Sequence, residues 1–226
     1  DCAEVAERYY GVPARKIILQ HLGSDTARFH PPANESDQAE RRMLREQMGF
    51  APNDLVAVYT GRFSAAKNPL LLAQAIASLR EKGLPYQALF VGAGPQEAEI
   101  AAIEGCVIRP FMSHNDLARH YRACDLAVWP SQESMSMLDA AATALPLIVG
   151  DAMGEPERVE GSGRTFREGD ASALANVLEE LRDPAIRARL GNAGRRKMEH
   201  GFSWDGVARK VAADFEMALT SAPTGV

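Results

Sequence analysis

Alternating short apolar runs and helical patterns, a glycine turn with two cations behind the first run, and a long helical remainder predict an α/β chain, a Rossmann-like doubly wound parallel sheet with helices on both faces. The alternation runs from residue 54 to about residue 150. Strands are predicted over 55–59, 88–91, 107–110, 126–129 and 147–149, with a further short one over 164–167. Helical patterns lie between them at 70–82, 96–103, 115–123 and 137–144. A strongly charged helix over 37–48 precedes the first strand and is expected on the surface. Helices over 171–181, 184–200 and 204–219 close the chain, with Asp170 and Ser203 as N-caps of the first and last. The first 30 residues read as loop around one short apolar strand, Lys16 to Gln20, and end at Pro31-Pro32. The expected division is a segment leading into the domain over 1–32, a Rossmann-like domain over 33–200, and a C-terminal helix and tail over 201–226, frayed from Ser221, that packs on the same domain.

Composition narrows the function. A chain of 226 residues could form one large domain or two small ones, and the punctuation favours one. Its net charge of -5 argues against nonspecific nucleic-acid binding, which needs a basic face. Any phosphate must then be met by local cations. Cys2, Cys106 and Cys124 form no CxxC pair, and an odd count speaks against a disulfide framework, so a reducing, cytoplasmic setting is expected. His114 and His120 lie six apart, on different faces of any helix, and no metal site is expected. No run approaches the roughly 20 apolar residues of a membrane span, and the N-terminus lacks a signal peptide's apolar region. Asp1 stands without an initiator Met, and the sequence reads as cut from a longer protein.

Three segments carry candidate chemistry. In the first, the apolar run Leu55-Val56-Ala57-Val58-Tyr59 leads through Thr60 to Gly61, Arg62 and, five residues beyond, Lys67. Gly61 permits a sharp turn at the carboxyl end of a buried strand, where open α/β sheets bind ligands. Asn68 and Pro69 open the next helix, whose free N–H groups favour an anion, and Arg62 and Lys67 would hold a diphosphate beside them. The alternative is that both are solvated surface charges. The second segment is Phe90-Val91-Gly92-Ala93-Gly94-Pro95. Its Gly-x-Gly allows a close backbone approach, either to a neighbouring loop or to a phosphate or sugar. It is not the dinucleotide fingerprint, because position 97 is Glu.

The third segment runs from Asp125 through Pro130, a small polar loop Ser131 to Met135, and a helix of small residues near Ser136. Loop amides and hydroxyls there suit phosphate oxygens, and Asp139 in the first turn suits ribose hydroxyls. Alternatively Ser136 caps the helix and Asp139 complements its dipole. Small residues over 140–144 would let the helix lie close to the sheet.

In order and spacing, these segments resemble the C-terminal, donor-binding domain of GT-B-fold retaining glycosyltransferases of family 4 (group 1). The likeness includes Tyr10-Gly11-Val12-Pro13 and Lys16-Ile17, Gly23-Ser24-Asp25 with Phe29 and Pro31, Gly61-Arg62 with Lys67, and Val91 to Pro95. It continues through Asp125 to Ser131, Asp139-Ala140, Pro146, Glu155 ahead of Gly169-Asp170, and Phe202-Ser203-Trp204. The resemblance implies a nucleotide-diphosphate sugar as donor, with no cofactor and no metal. Gly61, Arg62 and Lys67 would hold the diphosphate, and Arg62 and Lys67 would offset leaving-group charge. The base would lie near Arg109, Phe111 and Met112, Asp139 would hold the ribose, and Ser134, Met135 and Ser136 would approach the phosphates.

The sequence also departs from that pattern. The family's first glutamate lies eight positions before its second, which here is Ser131, whereas Glu133 lies six before Asp139. Either the loop is shortened and Glu133 takes over a catalytic contact with the donor sugar, or the contact is lost. The second acid is Asp139 rather than Glu. The acceptor, a glycan or lipid, would come from a missing N-terminal domain, leaving this chain to bind donor and transfer little. Peripheral membrane association, common for such enzymes, usually depends on that other domain. Two alternatives stay open: a non-catalytic sugar-nucleotide-binding module, and a GT-B nucleotide-sugar 2-epimerase.

Overall fold

In the computed structural model, residues 2–154 and 159–221 are described. Glu155 of the family-like pattern and the tail beyond Ser221 lie outside them. The chain begins with α1 (Cys2–Tyr10), a 3-10 turn (Ala14–Lys16) and α2 (Glu35–Gln47). The alternating region comprises β1 (Leu55–Arg62), α3 (Pro69–Glu81), β2 (Tyr86–Ala93), α4 (Glu97–Ala101) and β3 (Cys106–Arg109). It continues with α5 (His114–Arg122), β4 (Leu126–Trp129), α6 (Ser136–Ala142), β5 (Leu147–Gly150) and β6 (Gly163–Phe166). Helices α7 (Ala171–Glu180), α8 (Pro184–Gly201) and α9 (Trp204–Ser221) complete it.

The six strands form one sheet in the order β3-β2-β1-β4-β5-β6, with every neighbouring pair parallel. The order reverses between β1 and β4, so the crevice of a doubly wound sheet opens there, at the carboxyl ends of those two strands. Helix α3 packs with α4 and α7 over one face; α2 with α5, and α6 with α8, cover the other. Strands β4 and β5 are buried throughout, as continuous apolar runs covered on both faces require.

The predicted caps are present. Asp170 accepts a hydrogen bond from the Ala173 N–H at 2.9 Å, and Ser203 Oγ accepts from Gly206 N–H at 3.1 Å. Three expectations are corrected. Residues 16–20 form no strand: Ile18 and Leu19 are exposed and no strand pairs with them among the described residues. In place of loop, residues 2–10 form α1, with an Arg8–Glu4 pair one turn apart and no buried residue.

The third correction concerns α2, which is not simply a surface helix. Arg45 is only 6% exposed and donates to the carbonyls of Ala123, Ala51 and Asp54 and to Asp125 Oδ2 at 3.1 Å. Arg41 donates to Asp125 Oδ1 at 2.6 Å, and Asp125 Oδ2 also accepts the Val56 N–H at 2.9 Å. One carboxylate, just ahead of β4, thus pins α2 to the amino ends of β1 and β4.

Glycines fix the opposite edge. At Gly92, where φ is +154°, a Cβ would overlap the Gly61 carbonyl oxygen. At Gly94, with φ of +156°, it would come 2.5 Å from the Phe63 carbonyl oxygen. Phe63, fully buried, donates its N–H to the Ala93 carbonyl at 2.9 Å. The backbone approach at Gly92-x-Gly94 is therefore to the loop after β1. Gly92→Ala is expected to cost about 3 kcal/mol or more in urea denaturation, from steric overlap and backbone strain combined. Gly83→Ala, at a left-handed position with nothing within 4 Å, should cost only about 1–2 kcal/mol.

Candidate functional site

The loops after β1, β3, β4 and β5 converge at the carboxyl edge of the sheet. β1 stays in the sheet through Gly61 (φ +150°) and Arg62, which pair with Gly92 and Ala93, and Tyr59 Oη donates to the carbonyl of Arg62 at 2.9 Å. Arg62 is exposed, and no hydrogen bond or ion pair from the described residues reaches its guanidinium. Asn68 takes left-handed geometry (φ 48°) and Pro69 starts α3. Just before them, Lys67 reaches across the switch point and donates its amine to the Glu133 carbonyl at 2.6 Å. Lys67, Ser131, Glu133, Met153, Gly154 and Glu168 line a cavity of about 450 Å³. A Cβ on Gly154 would come 3.1 Å from Glu133 Oε1, which puts that carboxylate against the loop after β5.

A second cluster lies beside the first. Ser136 does not cap α6; it is the first helical residue, behind Met135, which makes no side-chain cap. Its Oγ instead accepts from Thr60 Oγ1 at 2.7 Å and pairs with Ser134 Oγ at 2.7 Å. Tyr121 Oη pairs with Thr60 Oγ1 at 2.9 Å and donates to the Ser136 carbonyl at 3.2 Å. Burial pushes the Tyr121 phenol well above its ordinary range, so it stays a neutral donor. This hydroxyl network joins the end of β1 to the loop after β4. Met135 is exposed at its rim.

Asp139 forms a third cluster, apart from Lys67 in its contacts. Its Oδ1 accepts from Ser24 Oγ at 2.7 Å. Burial raises its carboxyl to about 6; the Ser24 hydrogen bond and the charges of His114 and Arg28 pull it down, and Asp25 pushes it up. Ala140, Ala141 and Ala142 are fully buried, and α6 packs with α8 as well as with the sheet. The helix ends two residues short of the predicted 144, where Ala144 turns left-handed (φ 60°).

The residues expected near a base lie at the end of β3. Arg109 is paired with Val91 in the sheet and donates to the Ile108 carbonyl at 3.1 Å, while the Phe111 ring is exposed. Thr60, Tyr121 and His114 were not singled out as site residues from the sequence. A lone threonine in an apolar strand, a helical tyrosine and a helix-start histidine give no local signal of a shared cluster.

This is a Rossmann-like doubly wound architecture with cations at its switch point. Comparison with known proteins identifies the group. A family model described as "Glycosyl transferases group 1" matches residues 54–183. The chain belongs to the group 1 glycosyltransferases. It is similar to a D-inositol 3-phosphate glycosyltransferase of Streptomyces avermitilis, 28% identical over 240 residues covering 96% of this chain and 50% of that protein. Its fold matches Anabaena Alr3699/HepE, solved in complex with UDP and glucose, with a TM-score of 0.76 at 20% identity over 94% of this chain and 60% of that one. It also matches the C-terminal domain of a group 1 glycosyl transferase from Francisella tularensis, with a TM-score of 0.66 at 17% identity over 80% of this chain and 100% of that one. The fold is thus that of GT-B glycosyltransferases. The chain spans about half the length of the curated relatives it matches. Among the described residues, no helix is long and apolar enough to cross a membrane.

The raised Asp139 carboxyl predicts a pH dependence. A group whose folded pKa is raised stabilises the fold below its ordinary value and loses that contribution as pH rises through the folded one. Stability should therefore fall between about pH 4 and about pH 6 relative to Asp139→Asn, whose amide oxygen still accepts from Ser24 but cannot ionise. Urea midpoints of both proteins across that window check it.

Proposed function

We propose that this chain is the C-terminal, donor-binding half of a retaining glycosyltransferase that transfers a sugar from a nucleotide-diphosphate sugar to an acceptor glycan or lipid held by an N-terminal domain. The single observation that carries the reading is Lys67, whose amine spans the switch-point crevice to the Glu133 carbonyl, on the same loop as the free-standing Arg62 guanidinium.

In this reading Arg62 and Lys67 hold the diphosphate and offset the negative charge that grows on it as the glycosidic bond breaks. They do so without calling on a metal ion or cofactor. Gly61, Ser134, Met135 and Ser136 bring backbone and hydroxyl donors toward the phosphates, with Ser136 held in place by Thr60 and Ser134. Asp139 accepts ribose hydroxyls, and the exposed Phe111 ring and Arg109 flank the base. Glu133 faces the Lys67 cavity, and its carboxylate contacts the donor sugar. The general chemistry at the acceptor is assigned to no residue of this chain. The fold match to the Francisella C-terminal domain supports this reading of the chain as a C-terminal half. A cytoplasmic setting belongs to the same reading.

The shortened Glu133–Asp139 spacing favours a second reading, a binding module that no longer transfers sugar. Donor hydrolysis or transfer by the longer protein would exclude it.

A thermal-shift series with UDP, GDP and ADP sugars tests the donor assignment. Ligand at about 100 times its dissociation constant adds about 2.7 kcal/mol, several degrees for a chain of this size. The expected result is a shift with one nucleotide that shrinks in Arg62→Ala and in Lys67→Ala, with the unliganded midpoint of Arg62→Ala unchanged. An equal shift in both variants would contradict the diphosphate assignment.

A further inference from the structure

The support behind Asp139 is unusually fixed for a contact between segments 115 residues apart. Ser24 is 1% exposed, and its backbone is held on both sides. Its N–H donates to the Phe202 carbonyl at 2.7 Å, and its carbonyl accepts the Trp204 N–H at 3.2 Å, forming a parallel bridge with Ser203. At Gly23 a Cβ would come 2.9 Å from the Trp204 nitrogen, so the backbone passes there at close range. The Ser24 hydroxyl therefore reaches Asp139 from an anchored backbone. It occupies Oδ1, and no hydrogen bond from the described residues reaches Oδ2. A carboxylate with one oxygen held from behind presents the other in a set direction.

Building on the reading of Asp139 as the ribose contact, we propose that Ser24 is a positioning residue of the nucleotide site, fixing Oδ1 of Asp139 so that Oδ2 accepts the ligand's hydroxyls. The groups facing this carboxyl are His114 and Tyr121 of α5 and, on the segment after Ser24, Asp25 and Arg28. Among the described residues, Ser24 is the one that donates a hydrogen bond to it directly. A donor on the ionised form favours that form, and an ionised carboxylate is the better acceptor of two ribose hydroxyls. Without Ser24 the carboxyl would hold its proton to higher pH and turn more freely.

The test is the pH dependence of binding by this chain of whichever UDP, GDP or ADP sugar gives the thermal shift, between about pH 5 and about pH 8, a window in which the ligand's esterified diphosphate has no proton to lose. Wild type, Ser24→Ala, Ser24→Thr and Asp139→Asn are compared, with thermal midpoints recorded alongside. Binding by the wild type should strengthen as pH rises through about 6. Ser24→Ala should move that step upward by about one pH unit, weakening binding by about tenfold at pH 5 and by about twofold at pH 7. Ser24→Thr, which keeps the hydroxyl, should restore it. Asp139→Asn should abolish the step, and adding Ser24→Ala to it should move nothing further. A step lost in Asp139→Asn but unmoved in Ser24→Ala would overturn the proposal and leave the ribose reading standing, whatever happens to the thermal midpoint. Binding without a step, a step that survives in Asp139→Asn, or no binding at any pH would overturn both.

Discussion

The closeness with which the ends of β1 and β2 meet governs the shape of the candidate site. Gly61 and Gly92 face each other in register, with no room for a side chain on the second, and Gly94 lies against the backbone of Phe63. Phe63 is drawn into the core, where its ring meets Tyr59 and Phe90 at centroid distances of 6.2 Å. Burying that ring forces the chain on either side of it outward. Arg62 is thereby left exposed just before the turn, and Lys67 is set on the far side of it, aimed across the crevice. The cations are delivered by apolar packing and by the missing side chains of glycines.

The two edges of the sheet solve different problems. At the amino edge, Asp125 is enclosed by Arg41, Arg45 and the Val56 N–H, a saturated arrangement in which each charge is paired. Such a cluster orders α2 against the sheet and leaves nothing to bind with. At the carboxyl edge the polar groups are incompletely satisfied by the described residues: the Arg62 guanidinium and Asp139 Oδ2 have no hydrogen-bond partner, and Ser134 stands at the end of a hydroxyl chain. Saturation at one edge and spare capacity at the other are the physical difference between a structural cluster and a site.

Much of the fold was legible in the sequence because its signals are local. The run Leu55 to Tyr59 marks a buried strand, which continues through Gly61 to Arg62 before the chain turns, and Asp170 and Ser203 cap the helices they precede. The segment before β1 was less legible. Helix α1 buries no residue, so its pattern reports no core, and the apolar Ile17 to Leu19 mimics a strand that finds no neighbour. In the site, the separate segments with Arg62, Lys67, Glu133 and Asp139 could be marked from residue type and order. Their grouping could not. That Lys67 meets the Glu133 carbonyl while Asp139 meets Ser24, and that Thr60 and Tyr121 support Ser136, depends on the strand order β1-β4 and on the return of the chain at residues 202–204.

The most direct measurement is a crystal structure of this chain with UDP bound. The account expects the diphosphate at the β1–β4 switch point, its oxygens within hydrogen-bond distance of Arg62 and Lys67, and the ribose hydroxyls on Asp139 Oδ2. A nucleotide seated away from that crevice, with Arg62 still free and Asp139 contacted only by Ser24, would contradict it.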